Sequence, residues 1–267
     1  DADRVGAAVK NNEGEWVLLN GNQTALMFVY YLITRWKELG KINGKEYIVK
    51  TIVTTETIKT IAERNGVEMY DVYTGFKWIA NVMRENEGKK NYIGGGEESY
   101  GFLCEDFVRD KDAVSACVIL AEIAAWAKDQ GLSLYQLLQK IYVEYGFSKE
   151  KGISVVKKGK SGAEEIEAMM KKFRENPLTE IAGSKVTYFY DYSTLKGKDY
   201  AENETVTLDM PTTSNVLQYF TEDNTKVSIR PSGTEPKLKL YMEVHENDPL
   251  QAKISYTALR SACEALL

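Results

Sequence analysis

Histidine is nearly absent from this 267-residue chain, which holds one, His245, near the end of an apolar strand-like run where a structural or solvated role is expected. Cysteine is scarce as well: Cys104, Cys117 and Cys263 are odd in number, widely spaced and include no Cys-x-x-Cys pair. Neither a disulfide framework nor a zinc site follows from them, and a reducing cytoplasm is the expected setting. No apolar window approaches the ~20 residues of a membrane span, and no basic start followed by an apolar run stands at residue 1. Excess positive charge is also missing, since 34 Lys and Arg against 39 Asp and Glu leave a net charge of −5. Nucleic acid and membranes are therefore not expected partners, and any anion has to be caught by a local cluster.

What is present is enough apolar material, 43% of residues, to fill one large core or two ordinary ones. Residues 6–10 and 15–19 read as a hairpin about Asn11-Asn12-Glu13-Gly14. From Gln23 to Leu39 the apolar residues recur every three or four positions, as in an amphipathic helix. Residues 47–53 are β-branched and apolar enough for a strand buried on both faces, after which Thr54 or Thr55 can cap a helix to Asn65. A strand over 67–73, a helix to Met83, a short strand at Tyr92-Ile93 and helices over 112–130 and 134–145 complete an alternating pattern. The fold class expected is an α/β domain with a mixed, mostly parallel sheet, followed by a smaller α+β domain with an antiparallel sheet. Residues 1–20 are assigned to the tail of a preceding domain, 21–146 to the α/β domain, 147–175 to a connection and 176–267 to the α+β domain.

Three short stretches carry chemistry. Gly94-Gly95-Gly96-Glu97-Glu98-Ser99-Tyr100-Gly101 sets carboxylates and a hydroxyl on a turn whose glycines permit positive φ, a combination suited to sugar hydroxyls. Arg230-Pro231-Ser232-Gly233-Thr234-Glu235-Pro236-Lys237 brackets hydroxyls and backbone N–H groups with cations, as a phosphate nest requires. Asp1-Ala2-Asp3-Arg4 offers two carboxylates at a spacing that suits a hard divalent cation.

Each stretch also reads as an ordinary loop. Their succession, however, closely resembles the α-D-phosphohexomutase family of phosphoglucomutases and phosphomannomutases, where the three loops serve metal, sugar and phosphate. The resemblance implies that Asp1 and Asp3 help hold Mg²⁺, with a further Asp two residues upstream, and that Arg4 faces the phosphosugar. It implies that Glu97 and Ser99 contact sugar hydroxyls, that Glu98 supports the loop, and that Arg230, Ser232, Gly233 and Thr234 clamp the phosphate not being transferred. Lys111, in Arg109-Asp110-Lys111-Asp112, is implied in proton transfer, a role that asks for a lowered pKa near other cations. Lys77, in Thr74-Gly75-Phe76-Lys77, is implied in binding the substrate.

The implied reaction is a Mg²⁺-dependent 1,6 phosphoryl shift between glucose 1-phosphate and glucose 6-phosphate, through a phosphoserine and a bisphosphate. The Glu-Glu-Ser form resembles glucose-type members. Phosphomannomutase and phosphopentomutase activities are the near alternatives, and a non-catalytic phosphosugar-binding module is the alternative outside enzymes. A haloacid dehalogenase-type phosphatase would also carry Asp-x-Asp, but on an Asp that ends a hydrophobic strand, and none precedes Asp1. Nothing here matches the Ser-His-Asn-Pro-like segment that carries the family's phosphoserine. The expectation is therefore the C-terminal portion of a larger enzyme, inactive by itself.

Overall fold

The computed structural model describes residues 2–157, 159–233 and 235–267. These fall into two compact units, 1–146 and 147–267.

The first unit begins with a hairpin, β1 (Ala8–Lys10) and β2 (Trp16–Leu18), paired antiparallel as the turn sequence predicts. Helix α1 (Gly21–Glu38) starts two residues before the predicted Gln23 because Asn20 and Gln23 form a reciprocal capping box. Then come β3 (Glu46–Thr51), α2 (Thr57–Arg64), β4 (Glu68–Val72), α3 (Phe76–Asn86), β5 (Asn91–Gly96), β6 (Phe102–Cys104), α4 (Ala113–Asp129) and α5 (Leu134–Tyr145). The sheet order is β4-β3-β5-β6, with the first three parallel and β6 antiparallel at the edge. Every residue of β3 is buried, as its largely apolar, β-branched sequence predicts, and Glu46, Lys50 and Thr51 are buried with it. On one face Tyr47, Val49, Tyr92 and Leu103 pack with Phe76, Ile79, Val82 and Met83 of α3. Against the other lies α1, whose Phe28 ring stacks on Phe102 at 4.5 Å.

Of two local expectations, one is met and one is corrected. Thr55, buried in the loop before α2, accepts at Oγ1 from Thr57 N at 3.4 Å, the side-chain cap that Glu56, itself with helical dihedrals, does not supply. The three glycines are not a flexible loop at positive φ, for they form the end of β5, with Ile48, Val49 and Lys50 opposite Gly94, Gly95 and Gly96. Glycine is required there by proximity: a Cβ on Gly95 would lie 2.4 Å from Val49 O, and one on Gly96 would lie 2.6 Å from Gly101 O.

The second unit contains β7 (Phe147–Val156), α6 (Gly159–Glu175), β8 (Glu180–Ile181), β9 (Ser184–Asp191), β10 (Lys196–Asp199), β11 (Glu204–Thr207), β12 (Leu217–Thr221), β13 (Lys226–Pro231), β14 (Lys237–Glu246) and α7 (Pro249–Ala265). Its sheet runs β11-β10-β9-β12-β13-β14-β7, antiparallel throughout, with β8 attached to β9. Leu238, Leu240, Met242 and Val244 alternate along β14 and bury one face with Ile166, Met170 and Phe173 of α6 and with Leu259 and Cys263 of α7. Residues 147–175, assigned from sequence to a connection, form β7 and α6, and the polar helix that the sequence shows over 164–174 lies within α6. All ten residues of β7 pair with β14, and the apolar face of α6 belongs to this core. Lysines and glycine hide the strand in the sequence because it is an edge, with one neighbour and largely exposed side chains.

Candidate substrate-binding site

The hairpin joining β5 to β6 is the five-residue loop Glu97–Gly101, closed by a bond from Glu97 N to Gly101 O at 2.8 Å. Glu97 is buried, and its Oε1 accepts from Gly75 N at 2.8 Å, which ties the loop to the start of α3. Glu98 is held from another side: its N–H donates to Thr54 Oγ1 at 3.2 Å, and its carboxylate accepts from Thr51 Oγ1 at 3.3 Å. Ser99 is partly exposed. A fourth tether comes from the segment before β1, where Val5 N donates to Tyr100 O at 3.1 Å.

Lys111 reaches into the same place. Its Nζ lies 3.0 Å from Asp3 Oδ2 and 3.3 Å from Asp110 Oδ1, and 6.0 Å from the centre of the Phe76 ring. The stem lies over Gly101, where a Cβ would come within 2.7 Å of Lys111 Cδ and 3.3 Å of Glu97 Oε2. Asp3, Glu97, Gly101 and Lys111, drawn from three separate stretches of sequence, are thus assembled within one unit. Burial lowers the Lys111 pKa, but the bonds to Asp3 and Asp110 outweigh it, and the net shift is upward. This corrects the expectation of a lowered value: the charged neighbours of Nζ here are carboxylates, not cations. Lys111 in turn holds the Asp3 carboxyl below its ordinary 3.8.

Arg4 is largely exposed, its Nε 3.9 Å from Asp3 Oδ1. Lys77 lies 5.0 Å from the Trp78 ring centre, at the edge of a cavity of about 670 Å³ lined also by Arg84, Glu87, Arg109 and Asp110. Asp1 lies outside the described residues. A magnesium ion needs several oxygen ligands in near-octahedral array. Among the described residues, no three His, Cys, Asp or Glu are grouped to hold a metal, and the one carboxylate of the pair that is described, Asp3, is engaged by Lys111. The residues described do not by themselves fit the ion.

In the second unit, the β13–β14 turn carries the predicted phosphate residues. Arg230, at the end of β13 opposite Lys239, is half-buried. The turn is tight: Ser232 N donates to Lys237 O at 2.6 Å and Lys237 N to Glu235 O at 2.7 Å. Lys237 Nζ is paired with Glu235 Oε2 at 2.7 Å, which holds the Glu235 carboxyl below its ordinary value. Gly233 has open space around it and no positive φ, so sterics do not demand glycine there; Thr234 lies outside the described residues. Beside the turn, a cavity of about 570 Å³ is floored by Ala163, Ile166 and Met170 of α6 and rimmed by Ser232, Gly233 and Lys237.

Residues 20–145 match the model of the phosphoglucomutase/phosphomannomutase alpha/beta/alpha domain III, and residues 154–254 match that of the family's C-terminal domain. The chain belongs to the phosphoglucomutase/phosphomannomutase family. A phosphoglucomutase of Staphylococcus aureus (strain MRSA252) is 37% identical over 244 residues, 91% of this chain and 43% of that protein. The chain therefore spans less than half the length of the curated relatives it matches. Solved structures share the fold, two of them as follows. The open form of parafusin, a phosphoglucomutase from Paramecium, superposes with a TM-score of 0.65 at 19% identity, over 100% of this chain and 43% of that one. A phosphoglucomutase/phosphomannomutase family protein from Burkholderia thailandensis gives 0.58 at 18%, over 100% and 45%.

In this chain of the phosphoglucomutase/phosphomannomutase family, the residues that sequence reasoning missed are those that hold the loop. Gly21 opens α1 against it: a Cβ there would stand 2.0 Å from Glu98 O and 2.7 Å from Tyr100 N. Next to it, Asn22 Oδ1 accepts from Thr55 N at 3.0 Å, fixing the threonine loop that carries Thr54. The one signal in the sequence was Asn20-Gly21-Asn22-Gln23, a capping box with a glycine where helices rarely need one.

Proposed function

We propose that the two domains are the C-terminal part of a phosphoglucomutase-like enzyme that interconverts glucose 1-phosphate and glucose 6-phosphate by way of a phosphoserine and a bisphosphate. The observation that supports it most is the assembly of Asp3, Glu97 and Lys111 about the Glu97–Gly101 loop. In this reading Glu97 and Ser99 accept and donate hydrogen bonds at sugar hydroxyls. Lys111, cationic and flanked by Asp3 and Asp110, exchanges a proton at the reacting hydroxyl or steadies charge there. Arg230, with Ser232, Gly233 and Thr234, holds the phosphate that is not transferred.

Glucose 6-phosphate titrated into the isotope-labelled chain is expected to shift amide signals of residues 97–101 and of the turn from Arg230 to Gly233. The same 267 residues should give no turnover in a coupled mutase assay, since they carry no Ser-His-Asn-Pro-like segment. Robust turnover, or an absence of shifts at millimolar ligand, would contradict the reading. Mannose 1-phosphate is the comparison ligand, because the matching family models cover phosphomannomutases too.

A further inference from the structure

Tyr100 is the one residue of the Glu97–Gly101 loop in the left-handed region, with φ of +74°. For a bulky aromatic residue this backbone is strained, and glycine or asparagine would occupy it more easily. The strain is imposed from outside the residue. Gly21 closes on Tyr100 N, Val5 N binds Tyr100 O, and the Glu97–Gly101 bond spans it, so the chain has no freedom to relax. Strain maintained in this way collects at functional sites.

The ring gives the fold little in return. Tyr100 is 40% exposed, and no ring contact or side-chain hydrogen bond joins it to another described residue. A tyrosine stacked on another ring, or one that anchored the loop through its hydroxyl, would show one or the other. Ser99, its neighbour toward β5, and the buried Glu97 carry the polar groups assigned to sugar hydroxyls, while Glu98 supports the loop. A hexose offers hydroxyls at its edge and a patch of C–H bonds on each face. An aromatic wall beside carboxylates complements both.

We propose that Tyr100 is a sugar-contacting residue: its ring covers a C–H face of the hexose while Glu97 and Ser99 take the hydroxyls at the edge. This rests on the substrate reading given above. It adds selectivity for the pyranose over its phosphate, because the ring contributes nothing to an anion. The left-handed backbone is what keeps a large ring at the surface of so short a loop.

The test compares the wild-type 267-residue chain with Tyr100→Phe and Tyr100→Gly for binding of glucose 6-phosphate and of inorganic phosphate, alongside thermal melting. Tyr100→Phe should bind as wild type. Tyr100→Gly removes both the ring and the strain, so its melting temperature should hold or rise while glucose 6-phosphate affinity falls about tenfold and inorganic phosphate affinity stays unchanged. Equal affinity of wild type and Tyr100→Gly for glucose 6-phosphate overturns the contact. So does a joint loss of stability and binding, which would make the ring a packing element. If wild type itself binds no hexose phosphate, the substrate reading falls first and this contact with it.

Discussion

Lys111 Nζ and Asp3 Oδ2 lie 3.0 Å apart, an ion pair between residues 108 positions distant in sequence that closes over the aliphatic stem of Lys111 resting on Gly101. Gly101 is therefore the seat of the lysine, and its φ is not left-handed, so only space requires glycine there. Gly101→Ala would put a methyl group 2.7 Å from a flexible side chain, which can swing away. The expected outcome is a stability change under about 1 kcal/mol, with the Lys111–Asp3 pair broken and glucose 6-phosphate binding weakened several-fold. Crystallography of the variant with a binding titration checks both halves.

Gly21→Ala meets backbone instead. A Cβ 2.0 Å from Glu98 O cannot be accommodated by a rotamer change, so either α1 or the loop has to move. We expect a cost of about 3 kcal/mol in urea unfolding of the first unit, and faster amide exchange at Glu98, whose N–H is now covered by Thr54 Oγ1. Unchanged exchange would refute the clamp.

Glu46 provides the pH dependence. Burial pushes its carboxyl up, but the N–H groups of Asn43 and Gly44 and the amide of Asn91 outweigh burial and hold it below its ordinary 4.5. A group depressed in the folded state stabilises above its unfolded pKa and loses that contribution as pH falls through the folded value. Stability of the first unit should decline below about pH 4.5. Glu46→Gln should be less stable at pH 7 and show a smaller decline between pH 5 and pH 3, measured by thermal melting across that range.

In the second unit, Lys226 and Glu243 sit directly opposite on β13 and β14, 3% and 5% exposed at the side chain and 3.1 Å apart. Lys226→Met removes the cation of this buried pair and should cost about 3–5 kcal/mol. Adding Glu243→Leu should recover most of it, since the buried negative charge goes too. Urea unfolding of the single and double variants separates that from plain packing loss.

Much of the fold was legible because its signals are local. The double-faced burial of β3 follows from Tyr47-Ile48-Val49, and the length of α4 from an apolar run opened by Asp112, which caps it through Val114 N and Ser115 N. Strand β7 was not legible, since an edge strand needs no apolar face of its own; nor was β6, three residues long between two loops. The site divides similarly. Glu97, Lys111 and Arg230 stand out by residue type and neighbours, whereas Gly21, Thr51 and Thr54 matter only through what they touch.

Composition and the order of its three loops determined by themselves the family of this chain and the two kinds of sheet it contains, because charge balance, hydrophobic period and short motifs are properties of neighbouring residues. Tertiary structure decided the rest. Gly94 to Gly96 became strand, Lys111 found carboxylates in place of cations, and Tyr100 was forced into a left-handed backbone. Each of these outcomes depends on the distance between atoms far apart along the chain, and such distances exist only after the chain has closed on itself.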